Sequence, residues 1–475
     1  MAGGSQINNP DLVRLLSEQT PAAILELQAL GVAFAMEGDR LAQYLAPAQS
    51  YRRSVRTAGG GTCQLFETLG SVARREGVQV VEGVMLLDLA RVSGRVVGAL
   101  GYLPEGNQLV AFQAKAVVLA CGGAGQLYPL TSNSPELTAD GYAMAYRAGA
   151  RLADMEFIQF NPTALAWPLG MRGESTGGAL LGQEGVRLLN RRGERFMERY
   201  DPERKERSTR AITSQAIYRE IVEGRGSEHG GVFLDATRVD PTALLHITGR
   251  TVARLRSNGI DPLRDAMEVA PAAHHMMGGV VIDARCATDI PGLYAAGEVA
   301  AGVHGANRLN SNGLSEAVVF GDIAGREAAD YASVVSPAPL ATEELERARQ
   351  SVQGMLKHLP NTGPYLERLR SVVLAGAGLE RCAGDTEAAL AALAGLRAEI
   401  GAAGAGSGDV SRVVELRNML EVGEIILRAV LHRTESRGAH YRTDFPKQDD
   451  AGWRANIVVS RDVDSPTMRV VPALR

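Results

Sequence analysis

The sequence predicts an α/β protein: a parallel-sheet domain interrupted by an inserted α+β cap and followed by a helical domain. Three observations carry that expectation. Two short apolar runs, residues 116–120 and 293–296, stop at Cys121-Gly122-Gly123 and at Gly297-Glu298, as buried strands feeding ligand-binding loops do. Between them, from 127 to about 270, the rhythm changes to charge, loops and isolated strands, and the sheet pattern resumes at Gly278. After Ser333 the chain reads as successive helices joined by Pro/Gly or Gly/Ala/Ser turns.

The 475 residues exceed one core and imply several domains. The divisions expected are a discontinuous first domain (1–126 and 270–335), a cap (127–269), a helical domain (340–448) and a tail (449–475). A formal charge of −4 lacks the basic surplus of a nucleic-acid binder, so no nucleic-acid partner is expected. Cys63, Cys121, Cys286 and Cys382 are dispersed without a C-x-x-C pair, which suits a reducing, cytoplasmic setting and gives no metal-site spacing. No apolar run reaches eighteen residues, so any membrane contact is expected to run through a partner.

In chain order, an opening loop is followed by two helices, 10–18 and 21–30, the second ending at Gly31. Gly59, Gly60, Gly61 and Thr62 then form a turn that serves either close ligand approach or flexibility. A helix over 62–76 and a strand over 78–81 follow. Residues 84–114 alternate with turns at Ser93-Gly94 and 104–106, a β-meander that leads to the buried strand 116–120. Residues 137–150 read as a helix capped by Thr138 or Asp140, then a strand runs through 153–165, with another at 232–236. Residues 292–321 form strand, glycine-rich loop and a helix from about Leu314, a geometry that aims backbone N–H groups at an electron-rich ligand while Arg308 offers a planar fork to a carboxylate. Helices are expected at 342–357, 363–375, 385–399 and 409–432, with 401–408 a flexible loop and a final strand in the tail.

Polar residues gather in the first two domains: His274 and His275, His304 and Arg308, Arg210 after Ser208-Thr209, and Glu156, Gln159 and Asn161 along one strand. A histidine alone is more often structural. Several Arg and His with few carboxylates suit a dianionic ligand, and no hydrolase or zinc spacing is present.

The stretches VVLACGGAGQLYPLTSNSPELTADGYAMAYRAGARLADMEFIQFNPT, AHHMMGGVVID, GLYAAGEVAAGVHGANRLNSNGL and RTESRGAHYRTDFP, in this order, resemble the flavoprotein subunits of succinate dehydrogenases and fumarate reductases. L-aspartate oxidase belongs to the same superfamily. The resemblance implies FAD in a Rossmann-like domain, a mobile cap, hydride exchange with a C4 dicarboxylate and an iron–sulfur electron partner. It places Gly59, Gly60, Gly61, Thr62, Cys121, Gly122, Gly123 and Asp140 along the cofactor, Glu298 at its ribose or ribityl region, and Asn312, Gly313 and Leu314 under the flavin pyrimidine. His274 and Arg308 would bind substrate carboxylates, and Arg210 would pass a proton to the substrate carbon.

Three departures accompany the resemblance. No G-x-G-x-x-G occurs, so the pyrophosphate-binding unit is expected before Met1. Asn161 stands where the family's Q-F-H-P-T has histidine. Ala211 follows Arg210 in place of aspartate, with Ala179 and Gly182-Gln183-Glu184-Gly185 where the family has glutamate and R-G-E-G, so the carboxylate proton relay is expected to be broken. The readings thus expected are a dicarboxylate oxidoreductase, an L-aspartate oxidase, or a non-catalytic flavoprotein-like subunit.

Overall fold

The computed structural model describes residues 1–46, 49–58, 63–177, 180–357, 361–402, 409–462 and 466–472, without the side chains of 246, 250, 356 and 357. The turn at Gly59–Thr62, Ala179 and residues 403–408 of the expected loop lie outside that set.

The first domain centres on two parallel strands, Val117–Leu119 and Leu293–Ala295, paired in register. Both stop at glycine turns, so two loops emerge side by side from the same sheet end. The strand at 116–120 is shorter and less buried than its composition suggests: Leu119 is in the core, whereas Val118 faces outward. The meander appears as Met85–Val92, Arg95–Leu103 and Gln108–Gln113, paired antiparallel in sequence order. From the second parallel strand the chain passes through the 297–311 loop into the helix Asn312–Val334, two residues earlier than Leu314.

The N-terminal helix corrects an expectation. Residues 10–29 form one continuous helix, Pro10–Ala29, with Pro21 inside it; Asn9 caps it by accepting from the Asp11 and Leu12 amides, and Pro10 at the first position needs no N–H partner. The helix Cys63–Arg75 buries no residue, and 78–81 is not a strand: Val78, Val80 and Val81 stand exposed without ladder pairing among the described residues. β-branched composition alone cannot make a strand without a neighbour to pair with.

The helix expected over 137–150 spans Asp140–Arg147. Neither Thr138 nor Asp140 caps it; the cap position is Ala139 in the left-handed region, and Thr138 Oγ1 instead donates to Asp140 Oδ2 at 2.6 Å. Asp140 Oδ1 accepts from Asn418 Nδ2 at 2.6 Å, so this turn is tied to the helical domain.

The cap is a four-stranded antiparallel sheet in the order Ile158–Leu165, Met267–Met276, Val232–Asp235, Arg187–Leu189, packed on the helices Arg210–Glu220 and Pro241–Ser257. Its core, including Leu188, Ile217, Leu234 and Val269, is separate from the core shared by the first and helical domains. The helical domain comprises Thr342–Lys357, Thr362–Ala377, Ala383–Ala402 and Val410–His432. The last buries Val422, Ile425, Ile426, Ala429 and Val430, as a central helix must. The tail folds as a hairpin, Ala455–Arg461 with Pro466–Pro472, which docks on Leu152–Ala153.

Beneath the cap junction lies a buried ionic network built by RTESRGAHYRTDFP. Arg433 Nε meets Glu156 Oε1 at 2.6 Å and its Nη1 meets Glu435 Oε1 at 3.0 Å, with all three side chains inaccessible to solvent. Arg381 Nη1 donates to Glu156 O at 2.6 Å, and Arg437 pairs with Glu435 at 2.7 Å. Such a network fixes geometry more than it adds net stability, because both charges must be stripped of water.

Candidate active site

The strand Ile158–Leu165 and the strand Met267–Met276 run from the cap into the first domain, and their junction carries the polar residues. Pairing shifts between Ala273 and His275, where Ala273 faces Phe160 and His275 faces Gln159. This irregularity at His274 re-aims side chains that an unbroken strand would send to opposite faces.

Arg210 is the first residue of its helix, whose N-cap is Thr209 accepting from the Ile212 amide at 3.3 Å. Its Nη1 donates to Gln159 Oε1 at 3.0 Å and Nη2 reaches Asn310 Oδ1 at 3.4 Å. Both partners are neutral amides. Burial pushes the Arg210 guanidinium down to about 9, and the neighbouring Arg308 charge acts in the same direction. Arg308 is itself buried, is held below the usual guanidinium range by burial, and leaves Nε without a hydrogen-bond partner. Among the described residues neither arginine forms an ion pair with a carboxylate, and Glu298 and Glu316 act on Arg308 only through space. Two neighbouring cations shielded from water are costly unless an anion completes them.

His274 places Nδ1 2.8 Å from Ser132 Oγ, and Asn133 Nδ2 donates to its carbonyl at 3.0 Å. Burial, then Arg210 and Arg308, hold it well below the usual imidazole range, so it is neutral at pH 7. Thus Arg210, Arg308 and His274 sit in one electrostatic environment. Ser132 and Asn310 carry no signal in the sequence; only their neighbours in space identify them. Asn161, at the histidine position of the family pattern, is fully buried and donates to Ser175 Oγ at 3.0 Å.

The cofactor expectations distribute as follows. Glu298 Oε1 accepts from the Met276 amide at 3.0 Å and Oε2 lies 3.4 Å from His275 Nδ1. Burial raises its carboxyl to about 7. Gly123 makes room for that carboxylate, since a Cβ there would stand 2.1 Å from Glu298 Oε1. Gly122 adopts φ +71°, a left-handed turn that suits glycine. Cys121 is raised to about 11 by burial and then by Asp140, so it stays a thiol. Asn312, Gly313 and Leu314 open the long helix with no side-chain cap, and Leu314 is partly exposed. Gly313 brings the helix start against Arg308 Nη1 and His275 Cε1, each 3.5 Å from a built Cβ. Behind them His304 Nε2 meets Glu316 Oε2 at 2.8 Å, and the His275 ring stands edge-on to His304 at 5.2 Å.

Two strand ends opening on glycine turns, an uncapped helix start, and a cap that sets Arg210 beside Arg308 of the 297–311 loop define a flavin-dependent oxidoreductase class. A family profile described as FAD binding domain matches residues 1–314, and one described as Fumarate reductase flavoprotein C-term matches 367–473. The chain belongs to the FAD-dependent oxidoreductase family of fumarate reductase and succinate dehydrogenase flavoproteins and L-aspartate oxidase, and its cofactor is FAD. It is 37% identical over 474 residues to a fumarate reductase (CoM/CoB) polypeptide of Methanothermobacter marburgensis, covering 98% of this chain and 85% of that one. It is 35% identical over 482 residues to L-aspartate oxidase of Streptomyces coelicolor, covering 98% and 81%. Among solved structures, E. coli quinol fumarate reductase FrdA superposes with a TM-score of 0.90 at 28% identity, over 99% of this chain and 85% of that chain. Mycobacterium smegmatis Sdh1 superposes at 0.85 with 33% identity, over 100% and 83%.

The described residues fit FAD. His275 Nε2 and Arg308 Nε are buried polar atoms without a protein partner beside an uncapped helix start. A ring carrying both hydrogen-bond donors and acceptors placed there would satisfy polar atoms that otherwise stay unpaired.

Proposed function

We propose that the chain reduces the C=C bond of a C4 dicarboxylate such as fumarate, or runs the reverse oxidation. The observation that supports this is the pair of neighbouring guanidiniums, Arg210 and Arg308, neither in an ion pair among the described residues, beside neutral His274. Two carboxylates on one small substrate complement two cations at one site. FAD, when bound, supplies the hydride chemistry. Glu298, Asn312, Gly313 and Leu314, with the glycine turn at Cys121–Gly123, would hold it. Arg308 and His274 bind and orient a carboxylate, and the cap excludes water from the site.

Arg210 is the proposed proton donor to the substrate carbon. A free guanidinium is too weak an acid for this, but burial lowers Arg210 to about 9, closer to the working range of a general acid. Its partners Gln159 and Asn310 are amides, so no carboxylate relay runs through either of them. Electrons must arrive from outside the chain. Burial raises the Cys121 thiol to about 11 and Cys286 to about 12, and the four cysteines are scattered, so an iron–sulfur partner protein is the proposed donor.

The test is turnover of the flavin-loaded protein with fumarate and a reduced dye, alongside oxygen-coupled turnover with L-aspartate. Fumarate turnover supports the reading. Turnover of L-aspartate alone transfers the assignment to the oxidase, and turnover of neither removes the dicarboxylate reading.

A further inference from the structure

The helix Arg210–Glu220 is gripped at both ends by different bodies. At its start Arg210 reaches Gln159 and Asn310. At its end Glu220, fully buried, is held inside the cap by Arg199 at 2.8 Å, Tyr200 at 2.9 Å and Arg225 at 2.8 Å. One residue earlier, Arg219 turns the other way. Its Nε meets Glu380 Oε1 of the helical domain at 2.5 Å, Nη2 lies 3.4 Å from the Tyr441 hydroxyl, and its guanidinium stands over the Tyr441 ring, 5.7 Å from the centroid.

The far side of that grip is rigidly mounted. Glu380 precedes Arg381, which is buried and bonded to Gly378 O at 2.7 Å, Glu156 O at 2.6 Å and His440 Nδ1 at 2.7 Å. The Arg381 amide also donates to Tyr441 O at 3.2 Å. Glu156 lies three residues before Gln159, the partner of Arg210. The near side is different in kind. Beside the ion pair runs an open cleft of about 390 Å³ lined by Tyr218, Leu374, Glu380, Asp385 and Thr443, and the side chains of Arg219 and Glu380 are 36% and 21% exposed. A partly exposed ion pair alongside an open cleft makes a contact that can open and re-form, unlike an apolar seam.

We propose that Arg219 is a positioning residue: its grip on Glu380 and Tyr441 latches the cap helix to the helical domain and so holds Arg210 in the reaction site. A rise of about 1.5 Å per residue puts the latch about 14 Å from Arg210 along the same helix. A rigid helix of this length transmits a tilt at one end to the other. This rests on the placement of Arg210 in the proposed reaction.

The test uses the full chain with Arg219→Gln, Glu380→Gln and the charge swap Arg219→Glu with Glu380→Arg. Hydrogen exchange of the 213–219 amides is read without substrate, and kcat and KM for fumarate are read on the flavin-loaded protein. Each single change is expected to speed exchange about fivefold and to lower kcat about three- to tenfold with KM within about twofold, the scale of one partly exposed ion pair. The swap is expected to restore both. Unchanged exchange in the single variants, or faster exchange with wild-type kcat, overturns the proposal, as does failure of the swap to restore. Exchange that shifts and is restored by the swap, in a protein whose wild type turns over no dicarboxylate, sinks the reaction assigned to the site and leaves the latch itself standing.

Discussion

Arg210 Nη1 donates to Gln159 Oε1 at 3.0 Å, and the Nε2 of the same amide donates to the main-chain oxygen of Arg308 at 2.8 Å. One neutral side chain therefore ties the Arg210 guanidinium to the backbone of Arg308. A glutamate there would neutralise Arg210 internally and remove its demand for an anion, whereas an amide orients the guanidinium and leaves its charge for a ligand.

Replacing Arg210 with Gln removes a cation and, with it, the proposed proton donor. Loss of a general acid costs about 10²- to 10⁴-fold in rate, so kcat for fumarate is expected to fall by at least about a hundredfold while flavin absorbance stays at wild-type stoichiometry. Retained turnover would take Arg210 out of the reaction.

Gln159→Met keeps the volume and deletes the coupling. It strands Arg210 Nη1 and the Arg308 carbonyl, both in buried surroundings, at about 1–3 kcal/mol for each unsatisfied group. Expected are a lower urea midpoint and a roughly tenfold rise in KM. A stable protein with wild-type KM would show that the amide does not organise the cations.

Much of this site is written locally in the chain and part of it is not. Arg210, His274 and Arg308 take their proposed roles from the resemblance to the family's motifs, which lie in contiguous stretches of chain. Ser132 and Asn310 are ordinary polar residues in loops, and only the fold brings them to His274 and Arg210. The same limit explains where the fold departs from expectation. Pro21 suggests a break, yet Pro10–Ala29 is continuous, because packing of Leu12, Leu16 and Leu27 outweighs one missing hydrogen bond. Residues 78–81 carry strand composition but meet no partner strand among the described residues, and pairing is a non-local property that composition cannot supply. The long helices are legible because 3.6-residue periodicity is local.

Glu298 gives a pH signature in the flavin-free protein. Its carboxyl is raised to about 7, first by burial, against the opposing pull of the Met276 amide and Arg308. A raised pKa means that the folded state holds the proton more tightly. Its stabilising share is complete below the usual carboxylate range near 4.5 and is lost as pH rises to about 7. The shift corresponds to at most about 3 kcal/mol. Glu298→Gln, which mimics the protonated form, is therefore expected to gain stability relative to wild type between pH 4.5 and 7, read as the difference in urea midpoints. A constant difference across that window would place the Glu298 titration elsewhere.

The ionic network beneath the site should fail when one partner is removed. Arg433→Met leaves Glu156 and Glu435, both inaccessible to solvent, without their shared cation. Breaking a buried pair on one side costs about 3–5 kcal/mol, so the urea midpoint is expected to drop sharply. A change within about 0.5 kcal/mol would mean that water or a proton relieves the carboxylates.

The loop carrying His304 and Arg308 is clamped from both chain ends, and this can be tested at one glycine. Gly4 O accepts from the Ala306 amide at 3.0 Å and Asn8 Nδ2 donates to Val303 O at 2.8 Å, while the Ala439 amide donates to Ala306 O at 2.9 Å. Gly438 has φ +57° and packs so closely that a Cβ would stand 2.3 Å from Ala306 O, a backbone atom that cannot swing aside. Gly438→Ala therefore has to displace residue 306, and Arg308 lies two residues on. KM for fumarate is expected to rise about tenfold with kcat less affected, because a binding cation moves while Arg210 keeps its place on the cap helix. Gly395→Ala is the control: it lies within the helix Ala383–Ala402 with open space at the Cβ position, and there alanine is expected to stabilise by about 0.5–1 kcal/mol and leave KM alone. Equal effects at the two positions would mean that backbone entropy, not the clamp on Ala306, governs the outcome.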